Sequence, residues 1–560
     1  MKGGAALKHQ RSALAGLLAA AVLFTACTSS ANNSNNGVVV TASLDRAKAI
    51  VGGIPCEFPL SEGGDSLNIL MCCHGTTSAE DNYVLQKYEE MTGVNVNWTC
   101  VTKSERKEAV YNTLANKADI DLIMRCKIDA SDLLRYGENG LILDLAKDDM
   151  LKNYAPNCWA YLQSHPDALA SVLNPDGTIY ALPQVNSGAE LRVSRKLFIN
   201  KKWLENVNMQ PPSTTEELYE LLKAFKEQDA NGNGDPNDEI PFCPFDWSSV
   251  QDVFFGAFGL ANRGCHNQLV DCDEKTGDVR LIAASDGYKS YLEYLNRLYS
   301  EGLMDKYVFT TTMDTWTTNA ESDRIGVFAS TNLASLPAGE TDNWMALDEA
   351  LTGPAGDKLW TAIRANFQST GAALIPSTCE DPALVLRWLD YFWTDEGTLF
   401  YHMGVENETF EVKADGGYDY MPFIYERMTA EGKSFDDVVA EYSPYPGGSN
   451  PTVEVAPYFM GGEMAEIPAK AARKLFAYGP EEYWPSFTFT AEESERLSVC
   501  RTDITKYTNS ATTEFVTGAK PFTEWQDYID RLDALGSKEL LRVYQTAADR
   551  YRELINAEEK

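Results

Sequence analysis

The stretch LNILMCCHGTTSAEDNYVLQKYEEMTGVNVNW, residues 67–98, decides the fold. Leu67 to Met71 is a short unbroken apolar run bounded by turn residues, the pattern of a strand buried on both faces. Ser78-Ala79-Glu80-Asp81 resembles a capping-box helix start. Val84, Tyr88 and Met91 then recur at helical spacing, and Gly93 supplies the stop. Val94 to Trp98 alternates as a second strand. Outward from this unit, the spacing predicts a helix around 104–116 and a buried strand over Ile120–Met124. Strands that alternate with helices predict an α/β fold, its parallel sheet covered on both faces.

The rest of the chain continues the pattern. Pro212 to Lys226 reads as a helix, capped by Thr214 or Thr215, with Leu218, Leu221, Leu222 and Phe225 on its apolar face. Ile325 to Ala329 reads as a buried strand. Asp381-Pro382 opens a helix with proline in its first turn, faced by Leu384, Val385, Trp388, Leu389 and Phe392 and ended by Gly397. Two helical runs, around 521–535 and 537–556, finish the chain. Cys72 and Cys73 are strand neighbours and are predicted to point to opposite faces.

The N-terminus carries a separate signal. Lys2, Lys8 and Arg11 precede the apolar run ALAGLLAAAVLFTA at 13–26, which is too short for a mature membrane span. A charged start, an apolar middle and a small residue before a cut are the marks of a secretory signal peptide over residues 1–26. Phe24-Thr25-Ala26-Cys27 resembles the bacterial lipobox, which implies that Cys27 is acylated and anchors the chain to the membrane. The small polar residues that follow read as a flexible tether, 27–62.

The net charge of -34 disfavours nucleic acid and anionic lipid as partners, because each requires a basic surface. The 11 Trp, 27 Tyr and 23 Phe are more than stacking on one ligand could use, so most are expected in the core. Eleven of the 12 cysteines remain after Cys27, none at CxxC spacing, which argues against a zinc or iron–sulfur centre. Cys265 and Cys272 are close enough in sequence to pair across a loop.

Four segments carry a family resemblance: KYEEMTGVNVNW at 87–98, DGTIYALP at 176–183 with the long run 197–242, PALVLRWLDYFWTDEGTLFYHMGVENETFE at 382–411, and 515–551. In that order they resemble the extracellular solute-binding proteins of carbohydrate ABC importers, in the long Gram-positive lipoprotein branch. The resemblance implies a two-lobed periplasmic-binding-protein-like fold with a hinge and an interlobe ligand cleft. It places an N-terminal lobe at 63–186 plus 371–425 and a C-terminal lobe at 187–370 plus 426–560. Crossings are expected near Gln184–Leu191, near Gly371–Ser377 and after 420. A monomer is expected, working with the permease subunits of an importer.

The loop Asp229-Ala-Asn-Gly-Asn-Gly-Asp-Pro-Asn-Asp-Glu239 spaces oxygen donors at alternate positions with glycine at the turn, as a hard cation requires. It begins like an EF-hand loop and departs at the twelfth position, Ile240. The resemblance implies a structural Ca²⁺ held by the side chains of Asp229, Asn231, Asn233, Asp238 and Glu239, with Asp235 giving a backbone carbonyl. A solvated turn remains the alternative.

Catalytic signatures are missing from the sequence. Past the signal the histidines are His74, His165, His266 and His402, with no HExxH pair, no G-x-S-x-G elbow and no phosphate loop. Positions at strand ends and at the hinge nominate His74, Thr76, Arg125, Lys127, Asn186, Trp247, Thr331 and Asn332 as ligand contacts. Trp159, Trp316, Tyr445 and Trp484 are further aromatic candidates in polar surroundings, with Trp247 preferred. The function expected is capture of an oligosaccharide or related sugar for import, without catalysis. A secreted polysaccharide lyase or hydrolase, and a binding protein for a non-sugar solute such as a peptide, are the alternatives.

Overall fold

The computed structural model describes residues 51–264, 269–273, 276–337 and 339–557. The expected signal peptide, Cys27, most of the tether and Cys265 lie outside these residues.

The strands, in chain order, are β1 (Ser66–Cys72), β2 (Asn95–Val101), β3 (Leu122–Ile128), β4 (Leu182–Ser187), β5 (Lys196–Asn200), β6 (Ile240–Phe242) and β7 (Val270–Cys272). They continue as β8 (Val279–Leu281), β9 (Ile325–Ser330), β10 (Trp344–Ala346), β11 (Phe367–Leu374), β12 (Phe410–Val412), β13 (Tyr418–Tyr420) and β14 (Val453–Val455). Six of them form one sheet in the order β14-β4-β11-β3-β1-β2, and four form another in the order β10-β5-β9-β6. The remaining four make two antiparallel pairs.

The stretch that decides the fold folds as its pattern directs. β1 pairs in parallel with β2, Ser66 opposite Asn95 and Cys72 opposite Val101, and with β3 on its other side. Its residues alternate between two cores. Ile69, Met71 and Cys73 face one, with Tyr88 and Trp388, while Leu70 and Cys72 face the other, with Val110 and Leu114. The intervening helix, Tyr83–Thr92, is capped by Asn82 rather than by Ser78. The Asn82 side chain accepts from the Leu85 amide at 3.1 Å, and Gly93 ends the helix at φ 69°.

The sheets are mixed where the sequence pattern predicts parallel pairing. β11 runs antiparallel to both β3 and β4, because it enters the first sheet from the second-lobe side. In the second sheet β5 and β9 are antiparallel, Lys196 opposite Ser330. Helix Thr215–Glu227 covers this sheet, capped by Thr214, with Leu218, Leu221, Leu222 and Phe225 all at 0% exposure. Burying each of these side chains stabilises the lobe by about 1.5–3 kcal/mol.

Two boundaries differ from expectation. The return crossing lies at 363–366, earlier than Gly371–Ser377, since Gly371 and Leu374 already pair with β3. The chain also stays in the first lobe well past 425. β14 pairs in parallel with β4, Val453 opposite Val185, and Ile424, Val438, Val439 and Tyr445 pack into the same core. The last crossing falls between Met460 and the helix Glu466–Leu475, whose Ala471, Ala472 and Leu475 join the second core.

Gly397 does not end the helix that starts at Pro382. That helix stops at Asp390, and Gly397 sits inside the next one, Asp395–Met403. Trp316 is core rather than cleft: it is fully buried and stacked 4.0 Å from Phe245. Among the described residues no helix is long and apolar enough to cross a membrane.

Candidate ligand-binding cleft

The two hinge strands meet between the lobes. Leaving β4, residues 192–194 run antiparallel to 362–364, which lead into β11. The Ser194 amide donates to Ala362 O at 2.7 Å, and the Arg364 amide to Arg192 O at 2.8 Å. Two cavities open against this pair, and Lys127, Arg364 and Ser369 line both. The smaller, of 340 Å³, takes Gln184, Asn186, Tyr445 and Glu454 from the first lobe and Ser194 and Thr331 from the second. The larger, of 1060 Å³, takes the start of helix Ala130–Glu138 from the first lobe, and Trp484, Phe487 and helix Ala491–Thr517 from the second.

A bulge shapes the first-lobe wall. Gly371 opposes Ile128 while Ala373 opposes Met124, so β3 carries extra residues across from β11. Arg125 and Lys127 fall in that bulge at φ 62° and 50°, a left-handed backbone that costs roughly 1 kcal/mol or more per non-glycine residue. A Cβ on Gly371 would stand 2.4 Å from Ile128 O, so the bulge needs glycine there.

The bulge sends its two cations different ways. Arg125 is buried and turns away from the cavity, donating from Nη2 to the Tyr445 carbonyl at 3.4 Å and to the Pro446 carbonyl. Lys127 reaches the cavity. Its ammonium is held below the usual lysine range first by burial, then by repulsion from Arg106 and Arg364.

His74 stands behind the same wall, its Nε2 3.0 Å from Asp437 Oδ1. Asp437 belongs to the capping box of helix Phe435–Val439, and the Ser434 hydroxyl and then His74 hold its acid below the usual range. His74 and Arg125 both close on Gly447, where a Cβ would be 3.1 Å from Arg125 Nη2.

Asn186 is buried in the smaller cavity and accepts from Gln184 Nε2 at 3.1 Å. Gln184 in turn accepts from the Asn450 amide at 3.0 Å. Asn450 Nδ2 donates to Glu454 at 2.9 Å, and burial lifts the Glu454 acid to about 7. The Thr331 hydroxyl donates to Ser194 O at 2.9 Å and accepts from Arg195 at 2.8 Å.

Like His74 and Arg125, three further expected contacts line neither cavity. Thr76 is exposed on the turn after β1. Asn332 closes its own turn on the Ala334 amide at 2.9 Å. Trp247 starts helix Trp247–Phe254 and packs 4.5 Å from Phe309 at the edge of the second core.

Two lobes, paired hinge strands and a polar cleft between them are the architecture of a protein that closes on a solute. Residues 84–404 match the family described as bacterial extracellular solute-binding protein. The chain belongs to that family. This solute-binding protein is 25% identical over 496 residues to the fructooligosaccharide ABC transporter substrate-binding protein FusA of Streptococcus pneumoniae, covering 84% of this chain and 87% of the relative. Two solved structures share its fold. One is an HMO-binding ABC-transporter-associated solute-binding protein from Bifidobacterium longum infantis, with a TM-score of 0.74 and 20% identity, covering 88% of this chain and 99% of that one. The other is the S. pneumoniae FusA EF-hand mutant in complex with fructo-nystose, with a TM-score of 0.66 and 22% identity, covering 87% and 100%.

The solute-binding protein's 229–239 loop follows helix Thr215–Glu227 and lines neither cavity. The Asn231 and Asn233 amides donate to Asp238 at 3.1 and 3.0 Å, and Gly234 N donates to Asp229 at 3.1 Å. Both carboxylate oxygens of half-buried Glu239 are shielded from water, with only the backbone amides of Glu239 and Ala230 beside them. Burial, then Asp238 and Asp229, raise its acid above the usual range. Among the described residues no three His, Cys, Asp or Glu side chains converge as a metal centre, so a cation here would depend on the two asparagines as well.

Residues of the cleft that the sequence does not single out are Gln184, Arg364, Ser369, Glu454 and Glu463. Each depends on chain crossings or on β14, which no local pattern marks. Tyr445 and Trp484, two of the aromatic candidates, border the smaller and larger cavities but are buried in the cores behind them, at 3% and 1% exposure.

Proposed function

We propose that this solute-binding protein captures an oligosaccharide between its lobes and delivers it to the permease subunits of an ABC importer, catalysing no reaction itself. The observation that carries this is the cleft, 1060 and 340 Å³ on either side of the hinge pair, with polar groups supplied by both lobes. Its size suits a ligand of several sugar rings. Hydroxyl-rich rings are matched by hydroxyl, amide and charged side chains, with half-exposed Phe489 giving apolar surface. Hinge closure would remove these groups from water, so each must find a partner on the ligand, which makes capture selective. FusA's role as a fructooligosaccharide ABC transporter substrate-binding protein supports the same reading.

In this reading the protein works outside the cell as a monomer that binds no nucleic acid, tethered to the membrane through Cys27, and the signal-like N-terminus with its lipobox-like Phe24–Cys27 supports the tether. The 229–239 loop would hold a structural Ca²⁺ through Asp229, Asn231, Asn233, Asp235, Asp238 and Glu239. The Glu239 carboxylate, shielded from water and met by no side chain, is the feature that fits a cation, and a solved FusA structure is described as an EF-hand mutant.

Calorimetry against fructo-, gluco- and host-derived oligosaccharides, with peptides as controls, tests the reading. We expect dissociation constants on the order of micromolar. Peptide binding without any sugar response would overturn the solute class. Product formation from a bound sugar would overturn the assignment as a binding protein.

A further inference from the structure

The chain carries 82 acidic against 48 basic residues, yet its cleft reverses that balance. The larger cavity is lined by Lys127, Arg364, Arg501 and Lys506 against one carboxylate, Asp129. The smaller adds Lys103 and Arg106, set against Asp436, Glu454 and Glu463. Of those three, buried Glu454 holds its proton up to about pH 7.

Pairing deepens the contrast. Elsewhere many of the cations are ion-paired, as in Arg427 with Glu431 and Glu441, or Arg552 with Glu482. Among the described residues Lys103, Arg106, Lys127, Arg501 and Lys506 enter no ion pair. Lys127 marks where they converge. Arg106, Arg364 and Lys103 all repel its charge, and Asp129 alone opposes them. Like charges gathered in a walled cleft are a standing cost to the empty protein, and an anionic ligand relieves it. The bulge adds a second cost at the same place, since it holds Lys127 in left-handed backbone at φ 50°.

We propose that the solute is an acidic oligosaccharide, whose carboxylates are met by Lys127, Arg364, Arg501 and Lys506 and whose rings lie against the half-exposed ring of Phe489. This rests on the oligosaccharide reading above and names the charge of its ligand. A carboxylate on the sugar can come from uronate units along the chain or from a terminal sialate, and the two share the chemistry that these cations recognise. The cleft also resolves a conflict in the sequence. A strongly negative protein repels anions at long range, but a cationic cleft with low-dielectric walls focuses its own field and draws them in.

Calorimetry on the whole mature protein, at low and at high NaCl, tests this. One pair of probes is galacturonate oligomers of three to six units and their carboxyl-reduced counterparts. The other pair is sialyllactose and lactose. We expect one acidic probe to bind roughly tenfold or more tighter than its neutral partner, with the advantage shrinking as salt rises. The pair that shows it identifies the source of the carboxylate. Lys127→Met, and separately Arg501→Gln with Lys506→Gln, should weaken the acidic probe about tenfold while leaving the melting temperature in place. Neutral oligosaccharides that bind as tightly as the acidic ones would overturn the inference and leave the sugar reading standing. If no oligosaccharide of either kind binds, the sugar reading falls and takes this inference with it.

Discussion

Arg125 on β3 holds the carbonyl of Tyr445 at 3.4 Å, fastening the bulged end of one strand to the loop that walls the smaller cavity. The guanidinium also reaches the Pro446 carbonyl, and it is 3% exposed, so it cannot exchange these acceptors for water. Arg125→Met keeps most of the stem's packing and removes both bonds. A hydrogen bond to a charged group contributes about 1.5–3 kcal/mol, so we expect a loss on the order of 2 kcal/mol in chemical denaturation. Ligand affinity should fall with it, because residues 445–449 would no longer be held against the cleft. Unchanged stability and affinity would show that the loop holds itself.

Calcium should stabilise the fold. A cation that binds only the native loop adds about 2.7 kcal/mol at one hundred times its dissociation constant, which is a rise of a few degrees in a chain of this size. The comparison is thermal melting with Ca²⁺ and with chelator, for the native protein and for Asp229→Ala. We expect the difference in the first and its loss in the second. No bound metal by elemental analysis, with superposable melting curves, would assign the loop to a solvated turn and leave Glu239 without a cation.

The lobes were legible in the sequence because local periodicity marks them. The run from Leu67 to Trp98, the Thr214-capped helix and the Pro382 helix all formed, each buried on the face its apolar spacing picked out. One helix lies outside the expected elements although the sequence carries its signal. Ala491–Thr517 is opened by a capping box between Thr490 and Glu493, the same motif that the pattern predicts at Ser78. At the shorter site Asn82 took the cap instead, four residues on. The cleft was only half legible. Lys127, Asn186 and Thr331 sit at strand ends, which a βα pattern locates. Glu454 and Gln184 face the ligand space because β14 returns to pair with β4, a long-range contact with no local mark. The bulge that separates Arg125 from Lys127 is likewise set by pairing with β11, not by spacing within β3.

Trp247 separates packing from ligand contact. Its ring lies 4.5 Å from Phe309 and half-buried at the edge of the second core, and it lines neither cavity. Trp247→Ala should cost roughly 1–2 kcal/mol, less than truncating a fully buried aromatic. Affinity for whichever oligosaccharide binds should stay within about twofold. A large loss of affinity without loss of stability would mean that the closed protein brings this helix to the ligand.

Glu454 should make stability depend on pH. Burial lifts its acid from 4.5 to about 7 in the folded chain, while the Asn450 amide and Arg125 pull the other way. The folded state therefore holds a proton that the unfolded chain releases near 4.5. Its contribution is intact below that value, is lost progressively between 4.5 and about 7, and stays lost above. The whole step is on the order of 3 kcal/mol. Glu454→Gln keeps the carbonyl that accepts from Asn450 and removes the titration. Denaturation midpoints of the two proteins should agree at pH 4.5 and diverge up to pH 7, the variant becoming the more stable. Asp252 and Asp390, also raised by burial to about 6, are common to both and cancel in the difference. The same deprotonation puts a negative charge into the cleft, so an acidic oligosaccharide should bind the native protein more weakly at pH 8 than at pH 6, with Glu454→Gln flattening that slope. Parallel stability curves for the two proteins from pH 4.5 to 8 would show that Glu454 is ionised throughout and that its burial is relieved by water.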